Sequence, residues 1–162
     1  MKQGILLLAS LLFISISCSS ESDKSLYESA KQFNKQEKFD AGIQNYEKII
    51  NEYPDSKYRS EVLFELGKMY QARLIKKMGE VNSYQKSKMY FQKLYKEFPN
   101  DKNSGSALFM VAFIQGNLLN QLDSAKVNYE KFIAQYPNHP MLESAKAEIK
   151  NLGVPPELII RK

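Results

Sequence analysis

Few residues in this chain of 162 are suited to covalent or metal chemistry. Cys18 is the only cysteine and His139 the only histidine. A thiolate beside an imidazole would give a nucleophile and its base, and zinc would ask for several such ligands together. One of each, far apart in the chain, supplies neither. His139 lies in YPNHPM, a turn or helix-start position. Beyond the opening segment the glycines Gly42, Gly67, Gly79, Gly105, Gly116 and Gly153 stand singly, as Gly4 does within it, so no phosphate-cradling loop is present. Carboxylates are plentiful (Glu28, Glu47, Glu52, Glu61, Glu65, Glu97, Glu130, Glu143), but they fall where wet helix faces are expected. There is thus no catalytic, cofactor-binding or metal-ligating residue to nominate, and a protein that is not an enzyme is expected.

Composition narrows the partners. The formal charge of +5 is mildly basic, but the lysines alternate with glutamates, as in YEKIINEY and FQKLYKEF. That is the pattern of a solvated helix face, and no aromatic-basic motif of a nucleic-acid reader accompanies it, so nucleic acid is not an expected partner. Tryptophan is absent, yet ten tyrosines and nine phenylalanines supply large groups for a core. The length suits one domain with a real core.

The chain opens MKQGILLLASLLFISISC. Lys2 makes a short positive start, and Ile5 to Ile16 are almost all apolar or small. The run is shorter than the ~20 residues that span a bilayer, so it reads as an export signal over residues 1–17 rather than a membrane helix. Ser15 and Ser17 suit a processing site. SISC, ending in Cys18, resembles a bacterial lipobox, with Ser15 where leucine is usual. The resemblance implies cleavage before Cys18, acylation of that cysteine (palmitate among the chains) and anchoring in a membrane. Ser19 rather than Asp follows the cysteine, which by the same resemblance favours the outer membrane, facing the periplasm. Several acyl chains hold firmly, each buried CH₂ contributing ~0.8 kcal/mol. Residues 18–25 then read as a polar tether.

The remainder repeats. YEKIINEYPDS, FQKLYKEFPND and YEKFIAQYPNH end alike, on Pro54, Pro99 and Pro137. Counting back from each proline gives a small residue (Gly42, Ser87, Ala125), an aromatic (Tyr46, Phe91, Tyr129), two large residues, and an aromatic immediately before the proline. These spacings trace one helical face. The small residue admits a neighbouring helix closely, and proline stops the helix because it has no N–H and restricts the residue before it. Asp55 or Ser56, Asn100 or Asp101, and Asn138 are expected to cap the helices that follow. An earlier helix precedes each copy, carrying Leu26, Ala30 and Phe33; then Leu63, Leu66, Gly67 and Tyr70; then Leu108, Val111, Ala112 and Phe113. A last helix with Leu142, Ala145, Ile149 and Leu152 closes at Gly153, before VPPEL breaks the pattern. Copy two has about eight extra residues between Gly67 and Ser87, within QARLIKKMGEVNSYQ. Copy three has about one. The longer insert either extends both helices or forms a loop over the groove.

On these columns the chain resembles tetratricopeptide (TPR) proteins over roughly Leu26 to Leu152. The expectation is an all-α solenoid of TPR-like helical hairpins, about three repeats plus a C-terminal capping helix, spanning residues 26–153, with a tail at 154–162. By that resemblance the first helices line a groove for an envelope protein or peptide. Tyr27, Lys31, Asn34, Arg59, Lys68, Gln71 and Gln115 are the first-helix residues expected to be free for a partner. The lipidated start with TPRs resembles BamD, the β-barrel assembly lipoproteins, which carry more repeats. KFIAQYPNHPMLESAKAEIKNLG is similar to the TPR part of the Tol–Pal-associated division coordinators. The implied roles are an accessory in outer-membrane protein assembly or an adaptor for peptidoglycan and division machinery. Oligomeric state stays open.

Overall fold

The computed structural model describes residues 21–154. Residues 1–20, which hold the expected export signal, Cys18 and the start of the expected tether, and the tail beyond Val154 lie outside the described residues. Within them the chain is a row of antiparallel helices: α1 (Asp23–Lys35), α2 (Phe39–Glu52), α3 (Arg59–Gln71), α4 (Glu80–Glu97), α5 (Ser104–Phe113), α6 (Leu122–Gln135) and α7 (Leu142–Asn151). Each packs on the next, and the pairs α1–α2, α3–α4 and α5–α6 are the three hairpins.

The repeat in sequence is a repeat in backbone geometry. α2, α4 and α6 end on Tyr53, Phe98 and Tyr136, at φ −126°, −129° and −128° and ψ 72°, 60° and 57°. Each donates its N–H to the carbonyl four residues back, and the proline follows. Two residues past each proline a side chain accepts a backbone N–H: Ser56 Oγ from Tyr58, Asp101 Oδ1 from Asn103, and His139 Nδ1 from Met141. Each of these N–H groups belongs to the residue just before the helix, so the turn side chains order the turn and do not cap α3, α5 or α7 as expected; in the third turn the acceptor is His139, not Asn138. The turns inside the hairpins repeat too. α1, α3 and α5 are followed by left-handed residues Glu37, Arg73 and Asn120, at φ 58°, 55° and 52°.

Both inserts are accounted for. The eight extra residues of copy two lengthen α4 by about one turn at its start, and the rest form the loop 72–79. The single extra residue of copy three is absorbed as a π-helical turn, Ile114–Leu118, continuing α5. An inserted residue widens a helix locally in this way.

The helical domain begins earlier than the apolar pattern suggests. α1 starts at Asp23, so residues 23–25 are its first turn and not tether. Ser22 caps it, accepting from the Ser25 N–H at 3.1 Å, and Asp23 places a carboxylate at the positive helix end.

Packing follows the small–large columns. A Cβ added to Gly67 would meet the Phe91 ring at 2.6 Å, so the close approach of that ring to α3 relies on the missing side chain. Ser87 and Ser83 on α4 are fully buried and donate to the carbonyls of Gly67 and Tyr70 at 2.7 and 2.6 Å. α5 carries no charge and is buried on two sides. Its Ala107 and Val111 enter the core of the first two hairpins, and Leu108, Phe109 and Ala112 enter a second core with Tyr129, Phe132 and Ala145. A helix apolar all round belongs in the middle of a stack. α7 covers the second core with Ala145 and turns Glu143, Lys146 and Lys150 outward, the terminal cap that an open-ended repeat stack requires.

Candidate functional site

The first helices bring two of the nominated residues together. Tyr27 of α1 stacks on Tyr58 at 4.2 Å and donates its hydroxyl to Glu61 at 2.5 Å. Lys31 Nζ lies 5.0 Å from the Tyr27 ring and Lys57 Nζ 5.1 Å from the Tyr58 ring, so two cations flank the stacked pair. Burial, then the Glu61 carboxylate, pushes the Tyr27 phenol far above its ordinary value, and it stays a donor. One repeat along, Lys68 lies over Phe64 at 5.3 Å and pairs with Glu65 at 2.7 Å. Lys31 and Lys68 are exposed, and Gln71 is half-buried at the end of α3.

The other nominees are spoken for. Tyr27 is buried in the contact just described. Arg59 is 9% exposed: Nη1 donates to the Ile50 carbonyl at 2.7 Å, and Nε and Nη2 donate to Glu97 at 3.2 and 3.1 Å. It ties the end of α2 to the end of α4 through the start of α3. Asn34 is half-buried, its amide nitrogen 3.6 Å from Met69 Sδ and its oxygen side against Gly42. Gln115 is buried on the other side of the stack, accepting from Asn128 at 2.7 Å in the wider π turn. These four were expected to be free because polar residues of a first helix look unpaired in sequence. Their partners lie on other helices.

The residues that sequence reasoning missed form a node on that other side. Glu47 Oε1 of α2 accepts from Tyr70 OH at 2.7 Å, Tyr90 OH at 2.7 Å and Lys86 Nζ at 2.9 Å. Tyr70 and Tyr90 stack at 5.6 Å. Burial alone would raise the Glu47 carboxyl, but the three donors and the Lys86 charge outweigh it and hold the group below the usual carboxylate range. Burial and the Glu47 carboxylate push Tyr70 up to about 12, against the opposing pull of Lys86. A depression of about 280 Å³ opens beside this node, walled by Ile43, Ile75 and Met78. The signal was present but ambiguous, since Glu47 sits next to the inward Tyr46 and so lies on the border of the buried face.

Among the described residues no group of three or more His, Cys, Asp or Glu side chains is placed to hold a metal ion, and no helix is long and apolar enough to cross a membrane. What the fold presents is surface: a row of first helices with aromatics and lysines on one side, and seams between second helices on the other. That is a helical-hairpin scaffold. The tetratricopeptide repeat family model matches residues 24–56, 61–101 and 106–139, one match per hairpin, and the chain belongs to that family. No curated protein matches it. The fold is that of a general protein-interaction scaffold.

Proposed function

We propose that this protein is a lipid-anchored scaffold of the bacterial envelope, held in the outer membrane through acylated Cys18 and facing the periplasm, with a protein or peptide bound along its first helices. The observation that carries the partner side is the pair of exposed lysines, Lys31 and Lys68, each over an aromatic ring on the same side of successive hairpins. Each ammonium sits within cation–π reach of its ring, which holds an exposed charge in a defined place on the helix face. The anchor side is supported by the short apolar leader that ends at Cys18. The favoured role is an accessory in outer-membrane protein assembly. The likeness of the third repeat and cap to the division coordinators supports a second role, an adaptor for peptidoglycan or division machinery.

The test is site-directed photocrosslinking in cells from positions 31 and 68, with position 146 on the outer face of α7 as control, followed by mass spectrometry. Crosslinks to a β-barrel assembly component from 31 and 68 but not 146 support the favoured role. Crosslinks only to wall-linked or division proteins support the second. Equal labelling from all three positions refutes the first-helix surface.

A further inference from the structure

The two edges of the stack differ in where the chain enters. Glu21 and Asp23 do not lead freely into α1. Tyr53 OH donates to the Glu21 carbonyl, Lys48 pairs with the Glu21 carboxylate at 3.0 Å, and Ser56 Oγ donates to Asp23 at 2.7 Å. The entering segment is therefore pinned to the turn after α2. Contacts continue that edge through the other proline turns: Arg59 to Glu97, Ser104 Oγ to the Phe98 carbonyl, and His139 beside Ser106 at 3.3 Å. The opposite edge holds the turns within the hairpins. There Lys38 and Phe39 share a depression of about 480 Å³ with Leu74, Lys76 and Lys77 of the inserted loop.

We propose that the stack stands on the bilayer, its proline-turn edge against the lipid headgroups and its hairpin-turn edge pointing away. This rests on the acylation of Cys18 put forward above. From Cys18 to Glu21 the chain can extend only about 10 Å, at ~3.3–3.6 Å per residue. α1, of 13 residues, then separates the edges by roughly 20 Å at 1.5 Å per residue. A pinned entry and so short a connection leave little room for the body to tumble. The proline-turn edge suits headgroups: Asp55, Lys57, Asn100 and Lys102 are exposed there, of mixed sign. Among the described residues the exposed large apolar side chains, Val81, Met89, Val127 and Val154, belong to α4, α6 and the segment after α7, not to those turns. The edge rests on the surface without inserting, and the acyl chains alone supply affinity. The helix axes then run along the membrane normal, and the Lys31–Lys68 surface opens sideways, reachable by a partner in or beside the same membrane.

The experiment uses the full acylated protein, purified from membranes and returned to phosphatidylcholine vesicles carrying a headgroup nitroxide. Intact mass establishes acylation first. Asp55→Cys and Lys77→Cys, both at exposed positions, each receive a fluorophore, and the acylated Cys18 does not compete for it. The expected result is loss of most fluorescence at position 55 and retention of most at position 77. Equal quenching, or the reverse order, in protein of confirmed acyl mass overturns the orientation and leaves the anchor standing. A mass without acyl chains overturns the anchor, and the orientation with it. Inserting about twenty Gly and Ser residues between Ser20 and Glu21 is expected to erase the difference, since a coil of that length reaches ~25 Å. A difference that survives the insertion also overturns the proposal.

Discussion

At the seam between the first two hairpins, Glu47 gathers Tyr70, Tyr90 and Lys86 around one oxygen. At the next seam the positions matching Glu47, Tyr70, Tyr90 and Lys86 in the repeat register are Gln92, Gln115, Asn128 and Ser124. There a neutral hydrogen bond from Asn128 to Gln115 stands where the charged node was, and a depression of about 300 Å³ lined by Asp123, Ser124 and Val127 opens where the tyrosine and lysine would reach. The backbone register is shared, but the chemistry is not. The first seam sets the cost of desolvating a carboxylate against three hydrogen bonds, two of them from buried aromatics. The second puts no charge into its hydrogen bond, and its side chains leave the space unfilled. A repeat fold fixes where the seams run and leaves their strength and pH sensitivity to a few side chains per seam.

Matched truncations break the comparison most sharply. Tyr90→Ala removes a buried ring and a donor to Glu47, and about 3–5 kcal/mol of stability is expected to go with it. Asn128→Ala is expected to cost only about 1 kcal/mol. Denaturant midpoints measure both, and equal losses would mean that the node is no stronger than its neutral counterpart.

Gly67→Ala comes next. The new Cβ meets Phe91 at 2.6 Å, and overpacking of this kind costs about 1–3 kcal/mol. The matching residue in the third copy is already alanine, Ala112, facing Tyr129 across α5 and α6, so the penalty belongs to the second hairpin alone. Thermal unfolding of Gly67→Ala beside Ala112→Gly checks this.

The acid limb isolates Glu47. Its folded carboxyl lies below the ordinary value, so its contribution is present above that value and is lost as pH falls through the folded one, where the unfolded chain has already taken up the proton. Glu47→Gln is expected to cost about 1–2 kcal/mol near neutral pH and to flatten the decline on acidification. At the alkaline end Tyr70 titrates near 12, and its stabilising share is full below 10 and lost as pH rises through about 12. Ultraviolet titration of Glu47→Gln should show Tyr70 ionising at lower pH. An unchanged profile would separate the tyrosine from the carboxylate.

An effect as small as that of Asn128→Ala is expected from Ser87→Ala, which deletes the 2.7 Å bond to the Gly67 carbonyl. About 1 kcal/mol is expected by urea unfolding, while Ala125→Gly at the matching site removes a buried methyl and adds the ~1 kcal/mol helix penalty of glycine.

Much of the fold was legible in the chain. The three prolines, the aromatic before each, and the small residues Gly42, Ser87 and Ala125 located the second helices, and Gly153, at φ 77°, marked the end of the last one. Even the one-residue surplus of copy three was countable, and it became the π turn. The site was less legible. Lys31 and Lys68 are exposed as their helix positions suggested, but Tyr27, Arg59 and Gln115 are buried among partners from other helices.

The sequence by itself determined the local elements, because proline, glycine and the period of apolar residues act over a few positions. It also determined the order in which the helices stack, since short turns between antiparallel helices leave few alternatives. Only the tertiary structure decided which polar side chains face inward. Tyr27 and Glu61 are 34 residues apart, Arg59 and Glu97 38, and Tyr90 and Glu47 43. Whether such pairs meet depends on the distance and angle at which hairpins cross, set by all the small–large contacts of the core together and written in no single stretch of the chain.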